Sequence, residues 1–453
     1  MAYSVNTTPL LQQQFDSENE DDGNDIVVRD IRPLFKPEPV DKFYATYFIF
    51  YILGIVTLLP WNFFITADDY WMYKFRNVSS NLSIREDAPT RSTLQAEFTS
   101  YLTLTSSYPN LVFLILNTVI SHRIPLNLRI LGSLIFILLL MLLTLVLVNI
   151  DTDNWQHGFF ILTLVTSLFL NIFSPIFGGS IVGVVGKFSP IYITALIGGQ
   201  ALGGVFAALT QIAALAIGAS STHTALVYFI IGNCTIALAI ILYILLTRSV
   251  FFKYYSFDQA VIVSDLQTNS TLQDVVSYKV IFKKIWCYCF CAFFIYFISI
   301  SAFPGVCVLI ESEGKGHGDK WNDVYFVPTI TYLLFSIGDY SGRIIAGRIL
   351  KPKNIILITI LTVSRLIFIP LILLCNAQPR YHLAVVFDRD YQYILIQFIF
   401  AFTNGYMTNI IQILTSKVVD RHEREIASCM TVVFIGIGAA IGSTLSLFLV
   451  RLL

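Results

Sequence analysis

Charge is scarce in this chain. Asp, Glu, Lys and Arg make up 13% of its 453 residues, about half of the roughly 25% usual in soluble domains. The balance is even, 29 basic against 29 acidic residues, so no positive excess is available to hold nucleic acid. Histidine is rarer, six in all, and none falls inside a long apolar stretch, so no imidazole is offered as a proton carrier at membrane depth. There is no H-E-x-x-H pair, no G-x-S-x-G elbow and no grouping of carboxylates suited to a metal. The seven cysteines (234, 287, 289, 291, 307, 375 and 429) sit in apolar stretches without C-x-x-C spacing. They read as small buried hydrophobes and predict neither a zinc site nor a disulfide. No metal, cofactor or enzymatic chemistry is expected, because no nucleophile and base fall at one depth. The first 40 residues also lack an apolar core. They carry the acidic run Glu18-Asn19-Glu20-Asp21-Asp22, so no cleavable leader is predicted and residues 1–42 read as a disordered cytoplasmic tail.

Apolar residues, by contrast, reach 56%. A bilayer core about 30 Å thick is crossed by about 20 apolar residues in helix. Eleven such stretches occur, at 43–67, 98–121, 130–150, 158–184, 191–218, 225–247, 285–310, 324–346, 354–376, 391–415 and 426–450. The short alternating segments of a membrane β-barrel do not occur. The predicted fold is therefore an all-α polytopic membrane protein with eleven transmembrane helices. They divide into a six-helix bundle (43–247), a cytoplasmic linker (248–284) and a five-helix bundle (285–453), a 6+5 arrangement like the paired half-bundles of many transporters. With the N-terminus inside, the cytoplasmic loops hold 14 basic residues and the outer loops 8, which agrees with the positive-inside rule. The odd number of spans then puts the C-terminus outside. Two glycosylation acceptors, Asn77 and Asn81 in Asn-x-Ser triplets, fall in the first outer loop, where they could be used. The triplets at Asn233 and Asn269 fall in a span and a cytoplasmic loop and read as chance.

The few polar residues left at membrane depth carry the functional information. Asp339 and Arg343 are i and i+4, hence on one helix face. An aspartate there needs a cation to stay charged, and the planar fork of Arg343 leaves donors free for a ligand. Together they suit a substrate with vicinal hydroxyls; the competing reading is a purely structural ion pair. Arg365, without an acid nearby in sequence, reads as snorkelling, capping a helix end or pairing with a distant carboxylate. Pro60-Trp61-Asn62 kinks the first span. Trp61 either stacks on a planar base or anchors the interface. Gly179–Gly183 and Gly199–Gly203 are GxxxG spacings that favour close helix packing. Asn404, Gln200 and Asn171 serve either as interhelical glue or as ligands.

These motifs resemble the equilibrative nucleoside transporters, solute carrier family 29. The resembling stretches are Leu58-Leu59-Pro60-Trp61-Asn62-Phe63-Phe64-Ile65-Thr66-Ala67, Asp339-Tyr340-Ser341-Gly342-Arg343 and Asn404-Gly405-Tyr406, with Gly199-Gln200-Ala201-Leu202-Gly203-Gly204 between them. The resemblance runs from about residue 43 to the end. It implies a fold like the major facilitator superfamily and facilitative, sodium-independent movement of nucleosides such as adenosine and uridine, with nucleobases also open, by alternating access. The substrate positions it implies are Leu58, Trp61, Asn62, Ile65, Ser174, Gly178, Asp339 and Arg343, with Gly199, Gly204 and Asn404 as structural motif residues. At Gly178 the family often carries a glutamine that addresses the base; a glycine has no side chain to do so. The alternative reading is proton-coupled nucleoside export from an acidic organelle, with Asp339 titrating. The expected partners are nucleosides and the lipid bilayer, with no nucleic acid, and the expected site is the plasma membrane.

Overall fold

In lipid the backbone has no partner but itself, so long runs of Leu, Ile, Val and Phe resolve into helices. The computed structural model describes residues 40–76, 93–120, 124–185, 188, 190–217, 220–255, 278–349, 351–380, 382–419 and 423–453. No strand occurs among them. The helices are α1 (Ala45–Thr66), α2 (Asp68–Lys74), α3 (Thr93–Ile120), α4 (Leu126–Val148), α5 (Gln156–Val185), α6 (Pro190–Ile217) and α7 (Ser221–Arg248). Then come α8 (Tyr278–Ala302), α9 (Leu334–Ile349), α10 (Ile355–Ser364), α11 (Phe368–Leu373), α12 (Asp390–Val418) and α13 (Arg424–Leu452). Two π-helical segments, Trp321–Tyr325 and Val327–Leu333, lead into α9. The N-terminal tail, Asn77, Asn81, Asn269 and most of the linker lie outside the described residues.

Helix covers each of the eleven expected stretches, yet only nine helices among the described residues are long and apolar enough to cross a membrane. The two exceptions are α3, which is rich in hydroxyl side chains, and α9, which has only 16 residues beyond its π-helical lead-in. In α3 hydroxyls turn back onto the preceding turn, as in Thr103 to the Thr99 carbonyl and Ser106 to the Leu102 carbonyl, both 2.7 Å. The α9 stretch carries Asp339 and Arg343. The ninth stretch departs from a single helix. It breaks into α10 and α11 at a 3-10 turn, Arg365–Ile367. Pro370 explains the break, since its ring crowds the carbonyl four residues back and it has no N–H to donate. The short helix α2 was not expected from the pattern. It is fixed by aromatic burial: Tyr70 and Trp71 are 1% and 2% exposed, and the Trp71 indole donates to the Phe64 carbonyl at 2.7 Å. On its last turn Lys74 is buried, donates to the Ile150 carbonyl at 2.6 Å and lies over Tyr70 and Phe159. Burial pushes its ammonium below the ordinary lysine range, partly offset by Asp151 and Asp153.

The main packing partners fall into two sets with two links between them. Helix α1 lies along α6 and also meets α5 and α7; α4 packs on α5 and α7, and α3 on α5. Further on, α8 packs along α13 and α9 along α12. The links between these groups are α3 with α13, and α6 with α9 and its π-helical lead-in. The α1–α6 seam is tight because glycine faces backbone. A Cβ on Gly199 would overlap the Tyr51 carbonyl oxygen, so any larger residue would push the helices apart. Asp41 ties the start of this seam, accepting from the Thr46 and Tyr47 amides at 3.0 and 3.3 Å and from the Tyr192 hydroxyl at 3.1 Å. All seven cysteines are free thiols. Four are buried as expected, but Cys234 and Cys429 are exposed on outward helix faces.

Candidate functional site

The polar residues expected at membrane depth fall into two neighbouring groups. The first is one side of α1. Leu58, Trp61, Asn62 and Ile65 follow the i, i+3, i+4, i+7 spacing that shares a helix face. Exposure falls along this row, from 44% at Leu58 to 4% at Ile65. Pro60 lies within the helix and interrupts its backbone ladder. Asn62 donates one amide proton back to the Leu58 carbonyl at 3.0 Å and directs its Oδ1 toward α6.

Gly204 is where α1, α6 and α9 meet. A Cβ there would lie 3.6 Å from Asn62 Oδ1 and 2.8 Å from Ser336 Oγ. Ser336 precedes Asp339 by three residues, so both are on one side of α9. Gly178 borders the α1 row from the other flank: a Cβ on it would meet only Thr57, at 3.9 Å. There is room at Gly178 for a side chain that the chain does not supply. One turn earlier on α5, the Ser174 hydroxyl is buried with no hydrogen-bond partner. Among the described residues no hydrogen bond joins the α1 row directly to Asp339 or Arg343.

The second group is a hydrogen-bonded chain through four elements. Arg343 Nε donates to Asp339 Oδ2 at 2.7 Å, and the two side chains are 23% and 15% exposed. Asp339 Oδ1 accepts from Asn404 Nδ2 on α12, also at 2.7 Å. The Asn404 Oδ1 in turn accepts from the Ser299 hydroxyl on α8 at 2.7 Å. Ser299 Oγ accepts from Arg365 at 3.0 Å. Arg365 is 2% exposed and gives its other donors to Thr403 Oγ1 and to the Ile295 and Phe400 carbonyls, at 3.2 to 3.4 Å. Its guanidinium lies 5.3 Å from the centre of the Phe400 ring.

This chain settles two open alternatives. Arg365 neither snorkels nor caps a helix end; it is a buried cation joined to Asp339 through two neutral side chains. Asn404 is an interhelical residue, whereas Asn171 bonds only within its own helix, to Ser167. Asn233 is likewise buried and donates to the Phe229 and Met141 carbonyls. Ser299 and Thr403 were missed at the sequence level. Hydroxyls in spans are common, and only the unpaired Arg365 signalled that some polar partner had to be near it.

Chemically, the pair offers a carboxylate with lone pairs beyond its two hydrogen bonds and a guanidinium whose terminal nitrogens are not spent on Asp339. Comparisons with known proteins bear on what would use them. Residues 164–451 match the family described as "Nucleoside transporter". The chain is 34% identical to equilibrative nucleoside transporter 3 of Rattus norvegicus, over 89% of this chain and 88% of that protein. It is also 34% identical to equilibrative nucleoside transporter 1 of Homo sapiens, over 91% of this chain and 98% of that one. Among solved structures, its fold is similar to that of a POT family transporter in complex with 5-aminolevulinic acid. The TM-score is 0.54 at 13% identity, covering 89% of this chain and 93% of that one. At that identity the likeness is one of fold alone.

Proposed function

Because the chain belongs to the nucleoside transporter family, we propose that it carries nucleosides across a membrane by alternating access, without coupling to sodium. The observation that carries this reading is the Asp339–Arg343 pair, fixed from behind by Asn404. Acceptors and donors held side by side fit the two hydroxyls of a ribose. The Leu58, Trp61, Asn62 and Ile65 row and the space at Gly178 would take the base. We place eleven spans in two bundles, 43–247 and 285–453, joined by 248–284. The packing of α1 and α3–α7 on one another, and of α8–α13 likewise, supports that division. The basic residues of the loops favour a cytoplasmic N-terminus and an extracellular C-terminus. Acceptors at Asn77 and Asn81 suit the plasma membrane.

Uptake of labelled adenosine, uridine and hypoxanthine by cells expressing the chain, with sodium present or replaced, tests the reading. Saturable, sodium-independent uptake of the nucleosides is the expected result. Background uptake of all three, with the protein shown at the surface, would reject it.

The glycine at 178 yields a separate expectation. Because a Cβ there meets only Thr57 at 3.9 Å, Gly178→Gln should fold normally and place an amide beside the base. The added hydrogen bonds should lower the KM for adenosine by about three- to tenfold, the effect of roughly 1 kcal/mol. An unchanged KM in a well-expressed variant would mean that the base does not lie against α5.

A further inference from the structure

Among the described residues, helices α8 to α13 hold one carboxylate at mid-span, the half-buried Asp339, and two guanidinium groups there, the half-buried Arg343 and the buried Arg365. The second is in excess of what an ion pair needs. Arg365 touches no acid: its donors go to two hydroxyls and two backbone carbonyls. Yet the Ser299–Asn404 relay joins it to Asp339. The groups that face Asp339 are few. Arg343 lies on its own helix and Arg365 in the turn between α10 and α11, with Tyr296 on α8 beside the two guanidiniums. From α12 comes the neutral Asn404, and α6 carries no charged residue.

One carboxylate between two guanidiniums leaves the cluster with a net positive charge. In a medium of low dielectric constant that charge acts across the relay more strongly than it would in water. It opposes the arrival of any further cation at Asp339, whether sodium or a proton, at every stage when Arg343 turns away to a substrate. A carboxylate with a single arginine would lose its counter-charge at that moment and become a place for a proton to ride.

We propose that Arg365 is a positioning cation that keeps transport uncoupled, by holding the Asp339 cluster positive so that neither a proton nor sodium accompanies the substrate. The inference rests on the nucleoside-transport reading and names what makes that transport passive. It assigns the effect to the charge of Arg365 rather than to its hydrogen bonds, which separates it from a merely structural role. Arg365→Gln should therefore become coupled, Arg365→Lys should not, and Ser299→Ala, which breaks the relay but keeps the charge, should not either.

The test is uridine influx into proteoliposomes of the full chain, with a pH-sensitive dye entrapped, between about pH 5 and pH 8. The wild type should vary by less than about twofold and give no substrate-dependent proton signal. The R365Q variant should vary by more than about threefold and admit protons with uridine. The R365K and S299A proteins, whatever their rates, should stay flat and silent. Proton entry with uridine in the wild type overturns the proposal, as does an R365Q protein that transports with a flat profile. Should R365Q fail to fold, Arg365→Met, which also removes the charge, carries the same expectation and the same overturning result. Absence of any uridine influx in the wild type defeats the transport reading instead, and so is distinguishable.

Discussion

Arg343→Ala is expected to reduce nucleoside uptake more than tenfold at equal surface expression. Two losses add. The substrate loses charge-assisted hydrogen bonds, each worth roughly 1.5–3 kcal/mol. Asp339 also loses its direct cation at 2.7 Å and keeps only the neutral Asn404 amide as a direct hydrogen-bond partner. Arg343→Lys should recover part of the activity, because it restores a charge but not the planar fork. A double variant separates binding from scaffolding. If the pair only held helices together, replacing both members by neutral residues of similar size, Asp339→Asn with Arg343→Gln, would cost little, because a matched neutral pair often replaces a buried ion pair without loss. If the pair holds the ribose, the double variant should fold, reach the surface and transport no better than Arg343→Ala. Recovery of uptake in the double variant would return the pair to a structural role.

The two groups of the candidate site were not equally legible in the sequence. Asp339 and Arg343 stood out because charge in an apolar stretch is rare and an i, i+4 spacing is read directly. The α1 row was legible for the same reason of spacing. What joined the rows was not: Asn62, Gly204 and Ser336 come from three helices, and a single sequence holds no record of which helices touch. Arg365 shows the limit most clearly. Its partners Ser299, Thr403 and the Phe400 carbonyl are 35 to 66 residues away in the chain, so its environment could be posed as a question but not answered. The fold was read at the level of helix positions from apolar length alone. The break at Arg365–Ile367 escaped because one proline four residues downstream decides it. The helix α2 escaped because seven residues are too few for a period to show.

Gly405→Ala is expected to be among the most damaging small substitutions in the chain, although it adds a single methyl group. Helices α9 and α12 cross here at backbone contact. A Cβ on Gly405 would overlap the Asp339 carbonyl oxygen and lie 2.7 Å from its carbonyl carbon and 2.9 Å from its Cα. Two opposing magnitudes decide the sign. Alanine gains about 1 kcal/mol over glycine in a helix interior. Overpacking usually costs about 1–3 kcal/mol, and more where no side chain can swing aside. The obstacle here is backbone, which moves only with the whole helix, so the steric cost should win by roughly 2 kcal/mol or more. The displaced backbone is that of Asp339 itself. Uptake should therefore fall with stability, since about 1 Å of misplacement at a site can cost on the order of a hundredfold. Gly347→Ala on the partner helix α9 is the control: the nearest atom to its Cβ would be Asn409 Nδ2 at 3.7 Å, so only the helix gain applies. Thermal unfolding of both purified variants beside the wild type, with uptake measured in parallel, should show Gly405→Ala destabilised and inactive and Gly347→Ala at least as stable as the parent. Equal behaviour of the two alanines would mean that α9 and α12 do not cross at Gly405, and the placement of Asp339 against Asn404 would go with it.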